Sequence, residues 1–297
     1  MNNPIPVYKK IGWVVVLLCL PWAGYAQPDS VQAIHRKRQH WVIGSSATAY
    51  TGSMVFLSSA WYSQYKRQSF RFFNDAAEWK QMDKVGHTFS AFHIAAIGSA
   101  TWQWAGKTKP QADRIATLTS FAIMSSIEIL DGFSAGYGAS ATDLAANALG
   151  AGLYLGQQKI WNETRLYPKF SFQRTAFAPQ RPGTLGHGLA EEILKDYNGQ
   201  TYWLSVDADK FFRFPKWLNF SLGYGAEGML YASDQANLQA GLKPYRKYFV
   251  GLEVDLTAFK SRSKFLNSVL FALNTIRIPG PALQFSKGTV KRHLFYF

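Results

Sequence analysis

Residues 131–150, DGFSAGYGASATDLAANALG, decide how the N-terminal half is read. They form the end of one apolar helix, a glycine-rich turn and the start of a second helix. Ser140 is a natural N-cap, and Asp143 stands three residues on, where a capping-box acid belongs. Asp143 and Asn147 are four apart, so they share one helical face beside Gly150 and the small residues Ala146 and Ala148. Glu128 and Asp131, three apart, share a face of the preceding helix. Upstream, residues 83–87 (DKVGH) put Asp83 and His87 on one face at the head of another apolar helix. Three helices thus carry polar residues into surroundings of Ala, Ser, Gly, Phe and Ile. The pattern predicts an internal polar cluster of Asp83, Lys84, His87, Glu128, Asp131, Asp143 and Asn147.

Working outward, residues 41–64, 85–105, 115–130 and 141–157 read as four long apolar helices. Gly44, Ala47, Ala49, Gly52 and Ser53 in the first would allow close helix–helix approach. A short amphipathic helix capped by Asn74 is expected over 74–82, and Pro110 suits a helix start. Four helices on short loops predict an antiparallel bundle. Every loop is basic, without the alternation that orients a spanning bundle. A bundle lying on or in a membrane and a polytopic one both stay open.

Pro168, Pro179 and Pro182 mark 161–186 as a linker. Beyond it the period falls to two. Residues 202–206, 218–224, 246–256, 282–286 and 292–297 read as strands, with helices over 189–197 and 264–275. In 246–256, Val250, Leu252, Val254 and Leu256 lie on one face, with Gly251, Glu253 and Asp255 on the other. The ending His293-Leu294-Phe295-Tyr296-Phe297 has the aromatic character of an outer-membrane barrel strand. Five or so strands cannot close a barrel of eight, so it is read as an ordinary edge strand. The expected fold is mainly α: an antiparallel four-helix bundle of apolar helices over 27–160, then a small, basic antiparallel α+β region over 187–297.

The 297 residues are 47% hydrophobic, 16% aromatic and 17% charged, which is ample for a core and low in charge for a soluble protein. Net charge is +14, unevenly spread: residues 1–164 hold 14 Lys and Arg against 9 Asp and Glu, and residues 165–297 hold 18 against 9. A basic second half suits an anionic surface. Residues 1–26 carry the parts of a secretory signal: Lys9 and Lys10, the apolar run 11–20, and a Gly24-Tyr25-Ala26 cleavage site. That run of about 10 residues is too short to span, which takes roughly 20. Export turns the basic surface toward phospholipid and away from nucleic acid. The partner expected is an anionic membrane surface or envelope lipid, in the periplasm or membrane-associated in a Gram-negative envelope. Cys19 is the only cysteine, so no intrachain disulfide forms. Leu17-Leu18 ahead of it lacks the small residue of a lipid-attachment site.

Three uses of the polar cluster are open. An interhelical clamp would pair Lys84 with a carboxylate, while Asn147 and His87 satisfy buried groups. A hydrolase acting on envelope lipid or glycan would use His87 as general base, oriented by Asp83 or Asp143, with Glu128 as acid. A metal site would combine His87 with carboxylates. One histidine among scattered carboxylates falls short of HExxH or paired CxxC patterns, and no cofactor or metal is expected. The glycines of 132–138 follow no strand, so they mark a tight turn. His93, six positions beyond His87, lies off its face and reads as a core histidine.

Asn74-Asp75, Trp79 and Met82-Asp83-Lys84-Val85-Gly86-His87, then Ile127-Glu128 and Asp131-Gly132-Phe133-Ser134, then Asp143-Leu144-Ala145-Ala146-Asn147 and Gly150 form three blocks in order. Over about residues 70–160 they resemble the YfiM-like family, a domain of unknown function described as predicted periplasmic lipoproteins. Residues 195–205 and 224–228 are similar to the longer version found in envelope proteins of the Bacteroidetes type. The Asp-Lys-x-x-His and Asp-x-x-x-Asn patterns more distantly resemble VanZ-like membrane proteins linked to glycopeptide resistance. The resemblance implies an envelope location and carries no established activity. The expected function is a membrane-associated structural or interaction role, with the hydrolase as the alternative.

Overall fold

A computed structural model describes residues 31–62 and 65–297; the signal sequence and Cys19 fall outside the described residues. Four long helices come first: α1 (Val31–Leu57), α2 (Met82–Trp104), α3 (Lys109–Gly132) and α4 (Ala141–Trp161). The basic run 35–40 lies inside α1, which ends in a π-helical turn at Ser58–Tyr62. Thr108 caps α3 in a capping box with Gln111, and Pro110 sits in its first turn, where its missing N–H costs no bond.

Helices α2, α3 and α4 pack on one another around Phe92, Ala95, Ala96 and Tyr154 and around Ala91, Met124 and Ala151. A Cβ on Gly150 would sit 2.1 Å from the Thr88 carbonyl oxygen, so α4 crosses α2 at backbone contact. α1 lies alongside, tied by Arg38 to the Trp104 carbonyl (3.1 Å), Gln39 to the Ala105 carbonyl (3.2 Å) and Tyr50 to Ser126 (2.9 Å). Its small residues are not a helix seam: a Cβ on Gly44 or Gly52 would have no atom within 4 Å. The core is therefore three helices, with α1 against its side.

The segment expected as a linker carries β1 (Leu166–Phe172) and α5 (Pro182–Leu185), followed by α6 (Gly188–Lys195). Pro168 is tolerated because β1 is an edge strand, where a missing N–H removes no ladder bond. Then come β2 (Gln200–Val206), β3 (Leu218–Glu227), α7 (Asp234–Gln239), β4 (Tyr245–Val254), α8 (Lys264–Leu273), β5 (Gly280–Ser286) and β6 (Thr289–Tyr296). The six strands form one antiparallel meander in chain order. It rolls up on itself. Phe170 N–H donates to the Thr275 carbonyl and Arg277 N–H to the Phe170 carbonyl, both at 2.9 Å, which brings the approach to β5 back to β1. Tyr296 of β6 packs across the inside on Trp203 of β2 and Phe249 of β4.

The alternation in β4 is as read, but the buried face is the polar one. Lys247, Gly251 and Glu253 point inward with Phe249, while Tyr248 and Val250 point out. β3 and β5 repeat this, with Asn219, Ser221, Gln284 and Ser286 inside and Phe220, Leu222, Leu283 and Phe285 outside. Register aligns Leu222, Val250 and Leu283 in one outward row, and Tyr248, Phe285 and Val290 in another. Inside, Lys169 and Glu253, both 0% exposed in their side chains, pair at 3.0 Å, and Arg277 stacks 3.9 Å over Trp203. α2 covers the outer face of β1 and β2: Phe89 packs on Phe170 and Tyr202, and His93 Nε2 donates to the Pro168 carbonyl at 2.8 Å.

Gly150→Ala is expected to destabilise the protein by about 1–3 kcal/mol through overpacking, whereas Gly152→Ala in the same helix, with no atom near its Cβ position, gains about 0.5–1 kcal/mol of helix propensity. Urea unfolding of the two variants checks both signs. Burial lowers the His93 pKa from 6.5 to about 4, so the folded state holds the neutral ring. The unfolded chain binds that proton first, so this contribution is whole above pH 6.5 and is lost toward pH 4 by up to about 3 kcal/mol. His93→Gln should flatten that acid limb in stability measured against pH.

Candidate functional site

The chain enters α2 through Trp79, Lys80 and Gln81, with φ of 46°, 53° and 64°. Three successive side-chain-bearing residues in the left-handed region cost roughly 1–2 kcal/mol each. The helix expected over 74–82 is absent: Asn74 caps only a turn, accepting from Ala76 N–H, and a 3-10 turn follows at Glu78–Gln81. The sheet holds the strained turn in place. Trp79 N–H donates to the Ala232 carbonyl at 2.8 Å, Tyr224 OH donates to the Lys80 carbonyl, and Arg246 reaches Gln81 Oε1 at 2.6 Å. Met82 is then buried against Ala226 and Met229. The starting position of Asp83 and Lys84 is thus set by strands far along the chain.

Lys84 Nζ lies 2.5 Å from Asp75, 2.8 Å from Asp83 and 3.0 Å from Asp143. Asp75 also accepts from Ser140 Oγ (2.6 Å) and Thr142 Oγ1 (3.0 Å). Ser140 Oγ accepts the Asp143 N–H at 3.0 Å, which makes the cap. The reciprocal arm comes from another helix: Ser140 N–H donates to Glu128 Oε2 at 3.0 Å. Glu128 takes the bond that Asp143 would have made, and Asp143 is left to meet Lys84. Burial pushes Asp143 up to about 6 against the pull of His87 and Lys84, and it raises Asp83 as well. For Asp75 burial is outweighed by hydrogen bonds from Lys84 and Ser140, and its pKa falls. The three acids raise the Lys84 pKa despite its own burial.

His87 stands on the other side of Asp143. Its Nδ1 meets Asn147 Oδ1 at 2.9 Å; a carbonyl oxygen only accepts, so Nδ1 carries a hydrogen and Nε2 is turned toward Glu128. That Nε2 is 3.6 Å from Glu128 Oε1, beyond hydrogen-bond distance. Glu128 is 2% exposed, and its Oε1 and Asn147 Nδ2 are buried without hydrogen-bond partners. Burial, helped by Asp143, raises the Glu128 pKa to about 8, and burial raises Asp131 to about 6 despite the Tyr62 hydroxyl donating to it at 2.7 Å. His87, Glu128 and Asp143 offer ligand atoms within 4.8 Å of one another.

All seven residues singled out in the sequence meet in one cluster, with Asp131 at its edge. Asp75, Thr142 and Tyr62 were not singled out. They come from a loop, a helix start and a π-turn, and no spacing rule links them to the others. His93 sits apart in the helix–sheet contact. A cavity of about 270 Å³ lies elsewhere, lined by Arg174, Asn198, Glu227, Lys247 and Tyr296.

Residues 71–156 match a family model described as predicted periplasmic lipoprotein (DUF2279), a span that contains Asp75, the left-handed turn and all seven residues. The match supports an exported, periplasmic or membrane-associated protein. No curated protein and no solved structure matches the chain.

Lys84→Met leaves three acids around an apolar group, and unfolding free energy should drop by about 3 kcal/mol or more. Lys80→Met breaks the Lys80–Asp234 pair, whose aspartate is half open to water, and should cost under about 1 kcal/mol. Equal losses in the two variants, measured by chemical denaturation, would contradict a clamp centred on Lys84.

Proposed function

We propose that this is a cell-envelope protein seated on a lipid membrane through the outer face of its rolled sheet, with a structural or interaction role in which the Lys84 cluster clamps the helices. One observation carries this: the sheet is inside out for a protein surrounded by water. Its interior holds the Lys169–Glu253 pair, Arg277, Asn219 and Ser221, while Leu294 and Phe295 are each 81% exposed. Removing a large apolar side chain from water is worth about 1.5–3 kcal/mol. The rows through Leu222, Val250 and Leu283 and through Tyr248, Phe285 and Val290 offer several such gains together. Apolar outside with polar inside is the pattern of a strand wall facing lipid.

α8 adds a second contact. Phe265 and Leu266 are exposed on it, and Lys260, Arg262 and Lys264 precede them, which suits an amphipathic helix lying among anionic headgroups. Trp41, Ile43 and Val55 of α1 and Leu118 of α3 are exposed apolar side chains on the helices. α3 is the one helix among the described residues long and apolar enough to cross a membrane. The likeness to YfiM-like and Bacteroidetes-type envelope proteins agrees with this setting. A second reading, hydrolysis of envelope lipid or glycan, draws on a Glu128 whose pKa of about 8 keeps it protonated at neutral pH near His87. It ranks second because Asp83 and Asp143, the acids that would orient His87, are both paired with Lys84.

Full-length protein mixed with vesicles of phosphatidylethanolamine and phosphatidylglycerol should float with them and stay bound in high salt. Leu222→Asp and Val250→Asp, placed on the outward row, should each lower the bound fraction about tenfold while circular dichroism is unchanged. Wild-type protein that remains unbound, or that salt alone releases, would overturn the apolar seat.

A further inference from the structure

We infer that His87, Glu128 and Asp143 form a binding site for a divalent transition-metal ion, with His87 Nε2, Glu128 Oε1 and an Asp143 carboxylate oxygen as ligands. The inference is independent of the membrane seat. It begins from one atom. Glu128 Oε1 is buried with no hydrogen-bond partner on a residue 2% exposed. A buried polar atom left in that state calls for an explanation, and an ion is one of the few available.

The surroundings are those of a built site. The three ligand atoms lie within 4.8 Å of one another. Ligands about 2.0–2.2 Å from a shared tetrahedral ion stand roughly 3.4 Å apart, and His87 Nε2 and Glu128 Oε1 are at 3.6 Å. Each ligand is also held from behind. Asn147 Oδ1 takes the Nδ1 hydrogen of His87 and so turns Nε2 toward Glu128. Ser140 N–H fixes the other oxygen of Glu128. Lys84 Nζ fixes the Asp143 carboxylate, 3.0 Å from one oxygen and 3.2 Å from the other. Such outer partners orient first-rank ligands and raise their affinity.

Charge points the same way. Asp75, Asp83 and Asp143 meet Lys84, while Glu128 faces His87 across 3.6 Å. A dication beside His87 would balance the other side, with Asp143 shared between ammonium and metal. One imidazole nitrogen and two carboxylate oxygens suit a borderline ion such as Zn²⁺ or Mn²⁺ better than Ca²⁺, which takes six to eight oxygens. The His87 side chain, 18% exposed, leaves a way in from solvent. Asn147 acts here as a positioning residue.

The test uses full-length protein stripped with a chelator and titrated with ZnCl2 and with MnCl2 by calorimetry. One equivalent should bind to wild type and raise the melting temperature. His87→Ala and Glu128→Gln should weaken binding about tenfold or more, while His93→Gln should leave it unchanged. If a variant fails to fold, the wild type alone decides: bound Zn²⁺ should shield His87 from diethylpyrocarbonate, read by mass spectrometry, with His187 and His293 still modified. Folded wild type that binds neither ion overturns the inference and leaves a proton on Glu128 as the occupant. So does binding that survives both ligand substitutions, or Zn²⁺ that fails to shield His87.

Discussion

The Lys84 ammonium, shared by Asp75, Asp83 and Asp143, is the contact on which the helical half depends. It joins a loop, the head of α2 and the first turn of α4 at one point. Attraction between buried charges barely repays desolvation when one pair is formed, but removing a partner strands the rest. A lysine meeting three acids therefore specifies an arrangement more than it adds stability. It fixes the position along α2 at which α4 crosses, and the small Gly150 lets the two backbones meet there.

The sheet reaches this contact through the left-handed turn at Trp79, Lys80 and Gln81. Strain of that kind persists only where the surroundings over-determine it. Here Tyr224, Arg246 and the Ala232 carbonyl do so, all from the C-terminal half. The two halves are thus one mechanical unit.

The sheet encloses a second buried lysine, Lys169, paired with Glu253 and bonded to Asn274 Oδ1 at 3.0 Å. The two polar centres differ in kind. Around Lys169 the cations Lys169 and Arg277 face one acid, whereas around Lys84 one cation faces several. The first is closed by the roll of the sheet. The second includes an imidazole, with His87 Nε2 3.6 Å from Glu128 Oε1.

The seven cluster residues were legible in the sequence because helical spacing fixes which side chains share a face, and polar residues on apolar helices have little to do but meet. The strand alternation was legible for the same reason, since a period of two assigns each residue to a face. Asp75 and Tyr62 were not legible, because only long-range folding brings a loop and a π-turn to those faces. β1 was hidden by Pro168, which an edge strand tolerates. The loose seating of α1 was hidden as well, since small residues permit close packing without requiring it. What the sequence by itself determined was the set of faces. The tertiary structure decided which of them turn inward. Alternation is symmetric, and only the roll of the sheet around Lys169, Glu253 and Arg277 makes the charged face the interior and leaves the apolar face outside.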